Sequence, residues 1–362
     1  MYGSLEAMGQ ALTGKRVVAG FDAFIDTLAR PVRTRRPDGT VQFYDTMAEM
    51  GAFIVERAGK SGTLQLDNVQ ERLGGNVPIL SRALNNLTVH TTCIGGFGDP
   101  VTHPVFEELT RCGELVSIGE PAKCVALEFA DGKLMLGMGQ ALGGITWELL
   151  TSRVGVDALA QRYGACDLAA FLNWSEMPYA TAVWQGFLRD VEPRLPAGKW
   201  MLFDLSDTVT REGAALTEAL DLIGRFGARH RTVMSLNENE YHDVCRALAL
   251  PEDEPERAAR ALCGRLSLTV LYLHFMGVGH CMTGGRFMSL PTVNIATPVL
   301  TTGAGDNFNA GVIAGLLAAL PPEETLRLGT MTASCYVATG ESPTLPALWR
   351  FMAAHDPNPV QA

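Results

Sequence analysis

The sequence lacks several features that would place it in a specialised class. Among its 362 residues, no apolar run reaches the roughly 18 residues needed for a membrane-spanning helix. The first residues, MYGSLEAMGQALTGKR, lack the uninterrupted apolar core of a secretion signal. The eight cysteines form no C-x-x-C pair, so neither a common zinc motif nor a secreted disulfide framework is indicated. We therefore expect a cytoplasmic protein with reduced cysteines and no membrane partner.

An excess of positive charge is also missing. The formal net charge is −10 and no Lys/Arg-rich run is present, which argues against binding to nucleic acid. Hydrophobic residues make up 47% of the chain and charged residues 19%, the composition of an ordinary folded protein. No repeat, low-complexity linker or change in composition marks a boundary, so residues 1–362 are predicted to form a single domain.

Short apolar segments alternate along the chain with segments of helical period. The apolar segments, predicted as buried strands, are 16–21, 88–96, 166–174, 200–205, 231–237 and 268–275. The helical segments are 76–86, 103–112, 178–192, 211–224, 239–249 and 255–266. This alternation predicts an α/β fold with a mostly parallel central sheet between two helical layers, a three-layer α/β/α sandwich.

Two segments interrupt this alternation. Residues 124–138 alternate apolar and polar side chains around an Asp-Gly pair, which is a hairpin signal, and residues 28–44 contain a second Asp-Gly pair. We expect the segments at about 28–44 and 118–140 to form a small antiparallel sheet outside the central one, which would serve as a lid. The alternative is a pair of surface hairpins without a function. An amphipathic helix is predicted at 45–60.

The stretch TTGAGDNFNAGVIAGLLAAL, residues 301–320, places one carboxylate, Asp306, in front of a long apolar segment. Gly303 and Gly305 permit a sharp turn, and the apolar segment is predicted to be a helix. Unpaired N–H groups at the start of such a helix form a cradle for an anion. Asp306 is then either the N-cap of this helix or a base that removes a proton from a hydroxyl during phosphoryl transfer. The second interpretation requires that its side chain faces a cleft.

Polar residues and glycine follow several of the predicted strands. In parallel sheets, ligands bind beyond the carboxyl ends of the strands. The residues at these ends are Asp22, Asp26, Asn173, Asp204, Asn237 and Gly277. We therefore expect the chemistry of the protein to lie at this edge of the sheet.

Several short motifs resemble those of the ribokinase-like (PfkB) carbohydrate kinase family. TTGAGDNF (301–308) is similar to the C-terminal signature D-T-x-G-A-G-D-x-F of that family. LGGN (73–76) resembles its N-terminal Gly-Gly element, CIGGFGDP (93–100) its I-G-x-x-G-D turn, and NENE (237–240) its N-x-x-E motif. HFMGVGH (274–280) is similar to its nucleotide loop. The motifs occur in the family order and extend over nearly the whole chain.

The resemblance implies a phosphotransferase that uses ATP and Mg²⁺ to phosphorylate a sugar or sugar-like alcohol. Asp306 would be the base, and the backbone N–H groups of Gly303, Ala304 and Gly305 would form the anion hole. The residues implied on the nucleotide side are Asn237, Gly277, Gly279 and Thr302, with Glu240 as the residue that positions Mg²⁺ through water. The residues implied on the substrate side are Gly74, Gly75, Asn76, Asn173, Asp22 and Asp26, with Asp26 favoured over Asp22. Lid strands often pair between subunits in this family, so a homodimer is plausible.

The chain departs from the family pattern at several positions. Leu300 replaces an aspartate that helps to build a monovalent-cation site, so K⁺ dependence is not expected. Ile79 stands where an asparagine is usual, and His280 where a glycine is usual. The family motif D-x-N-x-R reads DLSDT at 204–208. These departures indicate an acceptor pocket of non-standard composition.

Two alternative functions remain open at this stage. A nucleoside kinase of the same fold would need an apolar slot for a base, which Phe21, Phe24 and Phe43 could supply. A non-catalytic nucleotide- or sugar-binding regulator would not need the base Asp306 or the acidic Glu240. The acceptor, the preferred phosphate donor and the oligomeric state do not follow from the sequence.

Overall fold

A computed structural model describes residues 5–211 and 213–355, which form fourteen strands and twelve α-helices. The strands are β1 (Arg16–Phe21), β2 (Phe24–Arg35), β3 (Val41–Phe43), β4 (Gln65–Gly74), β5 (His90–Gly95), β6 (Gly113–Ser117), β7 (Ala122–Phe129), β8 (Gly132–Met138), β9 (Leu168–Phe171), β10 (Trp200–Asp204), β11 (Arg231–Asn237), β12 (Val270–Phe275), β13 (Val278–Thr283) and β14 (Arg286–Pro291). Every strand predicted for the central sheet is confirmed, with ends that differ by a few residues.

The helices occupy the stretches between these strands and the end of the chain. They are α1 (Leu5–Leu12), α2 (Met47–Glu56), α3 (Asn76–Asn86), α4 (Trp147–Arg153), α5 (Val156–Ala165), α6 (Ala180–Asp190), α7 (Gly213–Gly227), α8 (Glu238–Leu248), α9 (Pro255–Arg265), α10 (Ala304–Leu317), α11 (Pro322–Thr339) and α12 (Leu345–His355). Short 3₁₀ helices lie at Pro104–Arg111, Gly139–Gly144, Glu192–Arg194 and Thr208–Thr210. The segment predicted as a helix at 103–112 is therefore a 3₁₀ helix.

The central sheet has nine strands in the order β14-β13-β12-β11-β10-β9-β1-β5-β6. All neighbours from β12 to β6 pair in parallel, whereas β12, β13 and β14 form an antiparallel meander at one edge. Side chains of a strand alternate between the two faces of a sheet. Val18 packs in a core with α4 to α9, and Val17 and Ala19 pack in a second core with α1, α3 and α10 to α12. The two cores confirm the three-layer α/β/α fold.

A second, smaller sheet is built around the long strand β2. Strand β4 pairs antiparallel with β2 from Phe24 to Val32, β3 pairs antiparallel with its far end, and β8 pairs antiparallel with β7. The β2–β7 pair is parallel, so the small sheet is antiparallel apart from this one pair. The prediction of a separate small antiparallel sheet is confirmed, but β4 was not predicted as one of its strands; its role as a lid stays a prediction. Helix α2 lies within the segment predicted for it.

Strand β4 leads directly from the lid into the core. Its last residue is Gly74, Gly75 is the N-cap of α3, and α3 begins at Asn76. This connection places the end of the lid at the carboxyl edge of the central sheet. Within the described parts of the chain, no helix is both long and apolar enough to cross a membrane.

Candidate active site

Gly303 determines the backbone conformation at the start of α10, and any other residue at this position would be strained. Gly303 is the N-cap of α10 and has a φ of +91°. A β-carbon at this position would lie 2.9 Å from the Tyr336 hydroxyl. That hydroxyl donates a hydrogen bond to the Thr302 carbonyl oxygen at 2.7 Å, which fixes the preceding turn. The sequence TTGAG therefore holds the first turn of α10 against α11.

One of the N–H groups expected to form the anion hole already makes a hydrogen bond within the protein. The Ala304 N–H donates to the Thr301 carbonyl oxygen at 3.1 Å. This N–H group can bind a phosphoryl group only if its hydrogen bond to the Thr301 carbonyl oxygen is broken. Gly305 lies in the first turn of α10, close to the His274 ring at the end of β12.

Asp306 lies in the first turn of α10 and is buried. Its side chain does not cap the helix, because the N-cap is Gly303 and no side-chain cap bond is present. The N-cap interpretation is therefore wrong. The residue is only 5% exposed, and its Oδ1 atom is buried without a hydrogen-bond partner among the described residues. The expectation that this side chain faces an open cleft is not met.

The electrostatic environment of Asp306 favours its protonated form. Burial raises the pKa of its carboxyl well above the usual range, and the negative charges of Asp204 and Asp22 raise it further. A hydrogen bond with the Asn76 side chain and the positive charge of Arg82 oppose this rise in the pKa. This carboxyl can act as a general base only in its ionised form, which burial and the neighbouring negative charges disfavour.

Asp22 makes hydrogen bonds within the protein and does not face an open site. Its carboxylate accepts hydrogen bonds from the backbone N–H groups of Asn76 at 2.8 Å and Val77 at 3.2 Å. The Asn173 side chain donates a third bond at 3.1 Å. Burial raises the pKa of Asp22 to about 6. The carboxylate thus holds the N-terminus of α3 against the end of β1, and its predicted role in substrate binding has no direct support.

Asp26 occupies a different environment, on the lid strand β2. A β-carbon at Gly74 on the paired strand β4 would lie 2.3 Å from the Asp26 carboxyl carbon, so the carboxyl group covers that glycine. Burial and the nearby charge of Glu176 raise the pKa of Asp26 to about 6, while Lys133 lowers it. Asp26 lines the large cavity described below. Among the two aspartates predicted from the sequence, Asp26 is the one that faces space for a ligand.

Asn173 joins Asp22 to Glu176, a residue that the sequence did not reveal. Its Nδ2 atom donates to Asp22 and also to the Glu176 carboxylate at 2.9 Å. Its backbone has a φ of +52°, and its Oδ1 atom is buried without a partner in the described chain. Glu176 is exposed and close enough to raise the pKa of both aspartates. Its position three residues after the end-of-strand asparagine is the signal that could have identified it.

A cavity of about 350 Å³ lies between the lid, α3 and the C-terminal end of α11. Its charged lining residues are Asp26, Glu71, Arg72, Arg82, Glu108, Lys133 and Glu341. Its other lining residues are Leu28, Leu73, Ile79, Val105, Ala126, Met135, Leu300, Thr302, Tyr336 and Gly340. Charged donors and acceptors around an apolar wall suit a neutral ligand with many hydroxyl groups. Asp306 is not among the lining residues, although Thr302 in the turn before α10 and Ile79, whose side chain lies next to Gly303, are.

Asn237 and Glu240 form a complete capping box at the start of α8. Glu240 accepts hydrogen bonds from the Asn237 backbone N–H at 2.9 Å and from its side-chain amide at 2.6 Å, and the Glu240 N–H donates back to Asn237 at 3.0 Å. Burial and the charge of Asp204 raise the pKa of Glu240 well above its usual range. Both of its oxygens are therefore engaged by Asn237.

Whether Mg²⁺ fits near the start of α10 depends on the oxygen ligands that the nearby side chains offer. Mg²⁺ binds carboxylates, phosphates and water in proteins. In the described ranges, no group of three or more His, Cys, Asp or Glu residues could hold a metal ion directly. The negative charges of Asp204 and Asp306 nevertheless raise the pKa of Glu240, and the charge of Asp204 raises that of Asp306, so the three carboxyls lie near one another. These carboxylates suit a cation that arrives bound to nucleotide phosphates and contacts them through water.

The two glycines predicted for the nucleotide loop have different surroundings. Gly277 lies in the turn between β12 and β13, with a φ of +83°, next to the fully exposed Met276. Gly279 lies in β13, where a β-carbon would lie 2.8 Å from a methyl group of Thr330 on α11. Gly277 is therefore accessible to a nucleotide, while Gly279 provides close packing between the sheet and α11.

The aromatic slot considered for a nucleoside base is absent from the described cavity. Phe21 and Phe24 are buried in the hydrophobic core. Phe43 lies in β3, where the Arg30 guanidinium stacks on its ring at 4.1 Å. None of the three lines the 350 Å³ cavity.

Comparison with known proteins agrees with this fold. The family model of the prokaryotic ketohexokinases matches residues 3–355. A ketohexokinase from Haloferax volcanii is 29% identical over 353 residues, which cover 97% of this chain and 94% of that protein.

Solved structures share the architecture at low sequence identity. A ribokinase from Arabidopsis thaliana, complexed with ribose and ATP, has a TM-score of 0.65 at 17% identity and covers 94% of this chain and 99% of its own. An adenosine kinase from Sinorhizobium meliloti has a TM-score of 0.65 at 17% identity and covers 92% and 97%. At these identities the likeness shows the fold alone. The resemblance to ribokinase-like carbohydrate kinases is confirmed, and the match over residues 3–355 shows that this carbohydrate kinase belongs to the prokaryotic ketohexokinase family.

Proposed function

We propose that the protein transfers the terminal phosphoryl group of ATP to a hydroxyl group of a ketohexose. The observation that carries this proposal is the cavity under the lid, which combines Asp26 and other carboxylates with arginine and lysine side chains. Such a lining can accept and donate hydrogen bonds to the hydroxyl groups of a neutral sugar. The relative from Haloferax volcanii is a ketohexokinase, which supports the same class of acceptor.

The proposed base is Asp306, acting through its buried Oδ1 atom. This oxygen has no partner among the described residues and can accept the proton of the acceptor hydroxyl. The acceptor reaches it only if the boundary formed by Ile79 and Thr302 opens toward the cavity. Backbone N–H groups at the start of α10, that of Gly305 in particular, would stabilise the negative charge of the transferred group.

ATP would lie along the carboxyl edge of the sheet, past Asn237, Gly277 and Thr302. The terminal phosphoryl group would then lie at the start of α10. When bound, Mg²⁺ would neutralise charge on the phosphate oxygens. Glu240 and Asp204 would position water molecules around it. The lid would exclude bulk water, which otherwise competes as the phosphoryl acceptor.

The outer strand of the lid supports a proposed homodimer. Strand β8 forms an edge of the small sheet, and its exposed apolar side chains are Leu134, Met135, Leu136 and Met138. Unpaired apolar edges of this kind favour pairing with another strand. We propose that the lid strands of two copies pair, which would protect this edge from water.

A screen of acceptors tests the proposed reaction. The purified protein is incubated with ATP, Mg²⁺ and separate panels of ketohexoses, aldoses and nucleosides, and the phosphorylated product is identified by mass spectrometry and ³¹P NMR. We expect one ketohexose to give the highest kcat/KM and excess chelator to stop the reaction. Preferred phosphorylation of nucleosides would overturn the assignment of the acceptor, and activity in excess chelator would overturn the role given to Mg²⁺.

A further inference from the structure

Arg82 lies on α3, one helical turn after Ile79, and both residues line the 350 Å³ cavity. Its side chain is 19% exposed. The Nε atom is buried and has no hydrogen-bond partner in the described chain. A guanidinium group carries five N–H donors in a fixed plane. The cavity wall therefore contains a cationic group whose Nε–H donor is not paired with any of the described residues.

The nearest carboxylate does not satisfy this group. The Glu108 Oε1 atom is 3.9 Å from Arg82 Nη1, which is longer than a hydrogen bond. Glu108 is exposed, and a loose ion pair of this kind contributes little to stability. A structural role in a strong ion pair therefore does not account for Arg82.

Arg82 lies at the end of the cavity that is nearest to α10. Its positive charge lowers the pKa values of both Asp306 and Tyr336, so it lies on the side of the cavity that faces α10. Asp26 and Lys133 reach the same cavity from the lid. A sugar in this space would meet a hydrogen-bond acceptor on the lid and a cationic donor on α3.

We propose that Arg82 is a specificity-determining residue that donates hydrogen bonds to oxygens of the acceptor next to the hydroxyl that is phosphorylated. The inference deepens the proposed function and rests on it. Its consequence is selection for polyhydroxylated acceptors, because an acceptor without an oxygen at this point leaves the guanidinium unpaired. A site built to pair with a substrate oxygen rejects analogues that lack it.

The test compares Arg82→Lys, Arg82→Ala and a control, Arg153→Ala. Arg153 forms an exposed ion pair with Asp99 and does not line the cavity. We expect Arg82→Ala to raise the KM for the accepted ketose by about 10- to 100-fold, the effect of losing a charged hydrogen bond. The KM for ATP is expected to stay near the wild-type value, and Arg82→Lys to recover part of the loss. Thermal unfolding confirms that each variant is folded.

A series of deoxy analogues of the accepted ketose identifies the contact. If Arg82 binds one hydroxyl oxygen, the analogue without that hydroxyl is a poor acceptor for the wild-type enzyme but is no poorer with Arg82→Ala than the intact sugar. For Arg153→Ala, every deoxygenation has the same effect as in the wild type.

The outcomes separate this inference from the proposed function. A wild-type enzyme that phosphorylates no ketose contradicts the proposed function itself. An active wild-type enzyme combined with an unchanged ketose KM in Arg82→Ala overturns the role of Arg82 alone. The role of Arg82 is also overturned if the effect of each deoxygenation and the effect of Arg82→Ala are additive at every position. It is overturned as well if the KM values for ATP and the sugar rise together.

Discussion

The Asp22 carboxylate accepts a hydrogen bond from the backbone N–H of Asn76 at 2.8 Å, and so joins the end of β1 to the first residue of α3. A negative charge at the N-terminus of a helix is favourable because of the helix dipole. Asp26, only four residues further, faces the cavity instead. Two aspartates that look equivalent in the sequence GFDAFID thus have different surroundings, because one holds the fold together and the other lines the cavity.

Substitution of Asp22 is expected to affect stability. Asp22→Ala leaves buried N–H donors of Asn76 and Val77 without an acceptor, so we expect the free energy of unfolding to fall by about 1–3 kcal/mol. Urea unfolding at neutral pH measures this change. Asp157→Ala, which removes a carboxylate that is 96% exposed, serves as the control with little effect. Equal stability of Asp22→Ala and the control would contradict the structural role of Asp22.

Asp26→Asn, unlike Asp22→Ala, is expected to raise the stability of the protein and to weaken sugar binding. The folded state raises the pKa of Asp26 from 3.8 to about 6, so it favours the protonated form. The stability that this group contributes is present below about pH 4 and is lost as the pH rises through about 6. At pH 7.5, Asp26→Asn should therefore raise the melting temperature while it weakens sugar binding.

The same pKa predicts the pH dependence of sugar binding. The charged groups that act on Asp26 are Glu176 and Lys133. Only the ionised carboxylate accepts hydrogen bonds through both oxygens, so we expect the dissociation constant of the accepted sugar to rise as the pH falls through about 6. Calorimetric titrations between pH 5 and 8 measure this dependence. If Asp26→Asn shows the same pH dependence as the wild type, another group controls binding.

Asp306→Asn is expected to remove activity without removing the nucleotide. Loss of a general base lowers kcat by about 10²- to 10⁴-fold. The substitution also removes a buried carboxyl whose ionised form is disfavoured by burial and by the charges of Asp204 and Asp22, so stability should be unchanged or higher. Single-turnover kinetics and ATP binding are measured together, with the exposed Asp221→Asn on α7 as control. A parallel loss of turnover, ATP binding and stability would show that Asp306 acts only in the fold.

The sequence predicted six of the nine strands of the central sheet, but it did not predict β6, β13 and β14 or the details of the site. Regular alternation of apolar strands and helices located β1, β5 and β9 to β12. Strand β4 escaped prediction because most of its ten residues are polar and exposed, so no apolar alternation marks it. Its identity depends on pairing with β2, which lies about forty residues away in the chain.

The burial of Asp306 could not be predicted from spacing either. Helix α10 packs against α3 and α11, and its residues Asn309 and Phe308 contact β10 and β12. Sequence distance does not report such contacts. Arg82 was missed for the same reason, since no local pattern distinguishes it from other charged residues on helices. Glu176 was missed although its position three residues after Asn173 is a local signal. Asp306 itself was found because a glycine-rich turn before an apolar helix is a local signal.

Leu300 predicts that monovalent cations have little influence on the reaction. It stands before the turn at Thr301 and lines the cavity with an apolar side chain, which offers no ligand oxygen to a cation. We expect kcat/KM to be the same in potassium, sodium and tetramethylammonium salts at equal ionic strength. Strong activation by potassium alone would show that another residue or backbone oxygens build a cation site.

The lid edge offers a test of the proposed homodimer. Leu136 is 47% exposed in β8, and a lysine there would place a charge on an edge strand, which opposes pairing between strands. We expect light scattering coupled to gel filtration to give a dimer for the wild type and a monomer for Leu136→Lys. The matched control is Val209→Lys, because Val209 is 74% exposed but lies outside the lid. A wild-type monomer, or a Leu136→Lys dimer of unchanged affinity, would exclude the lid as the interface.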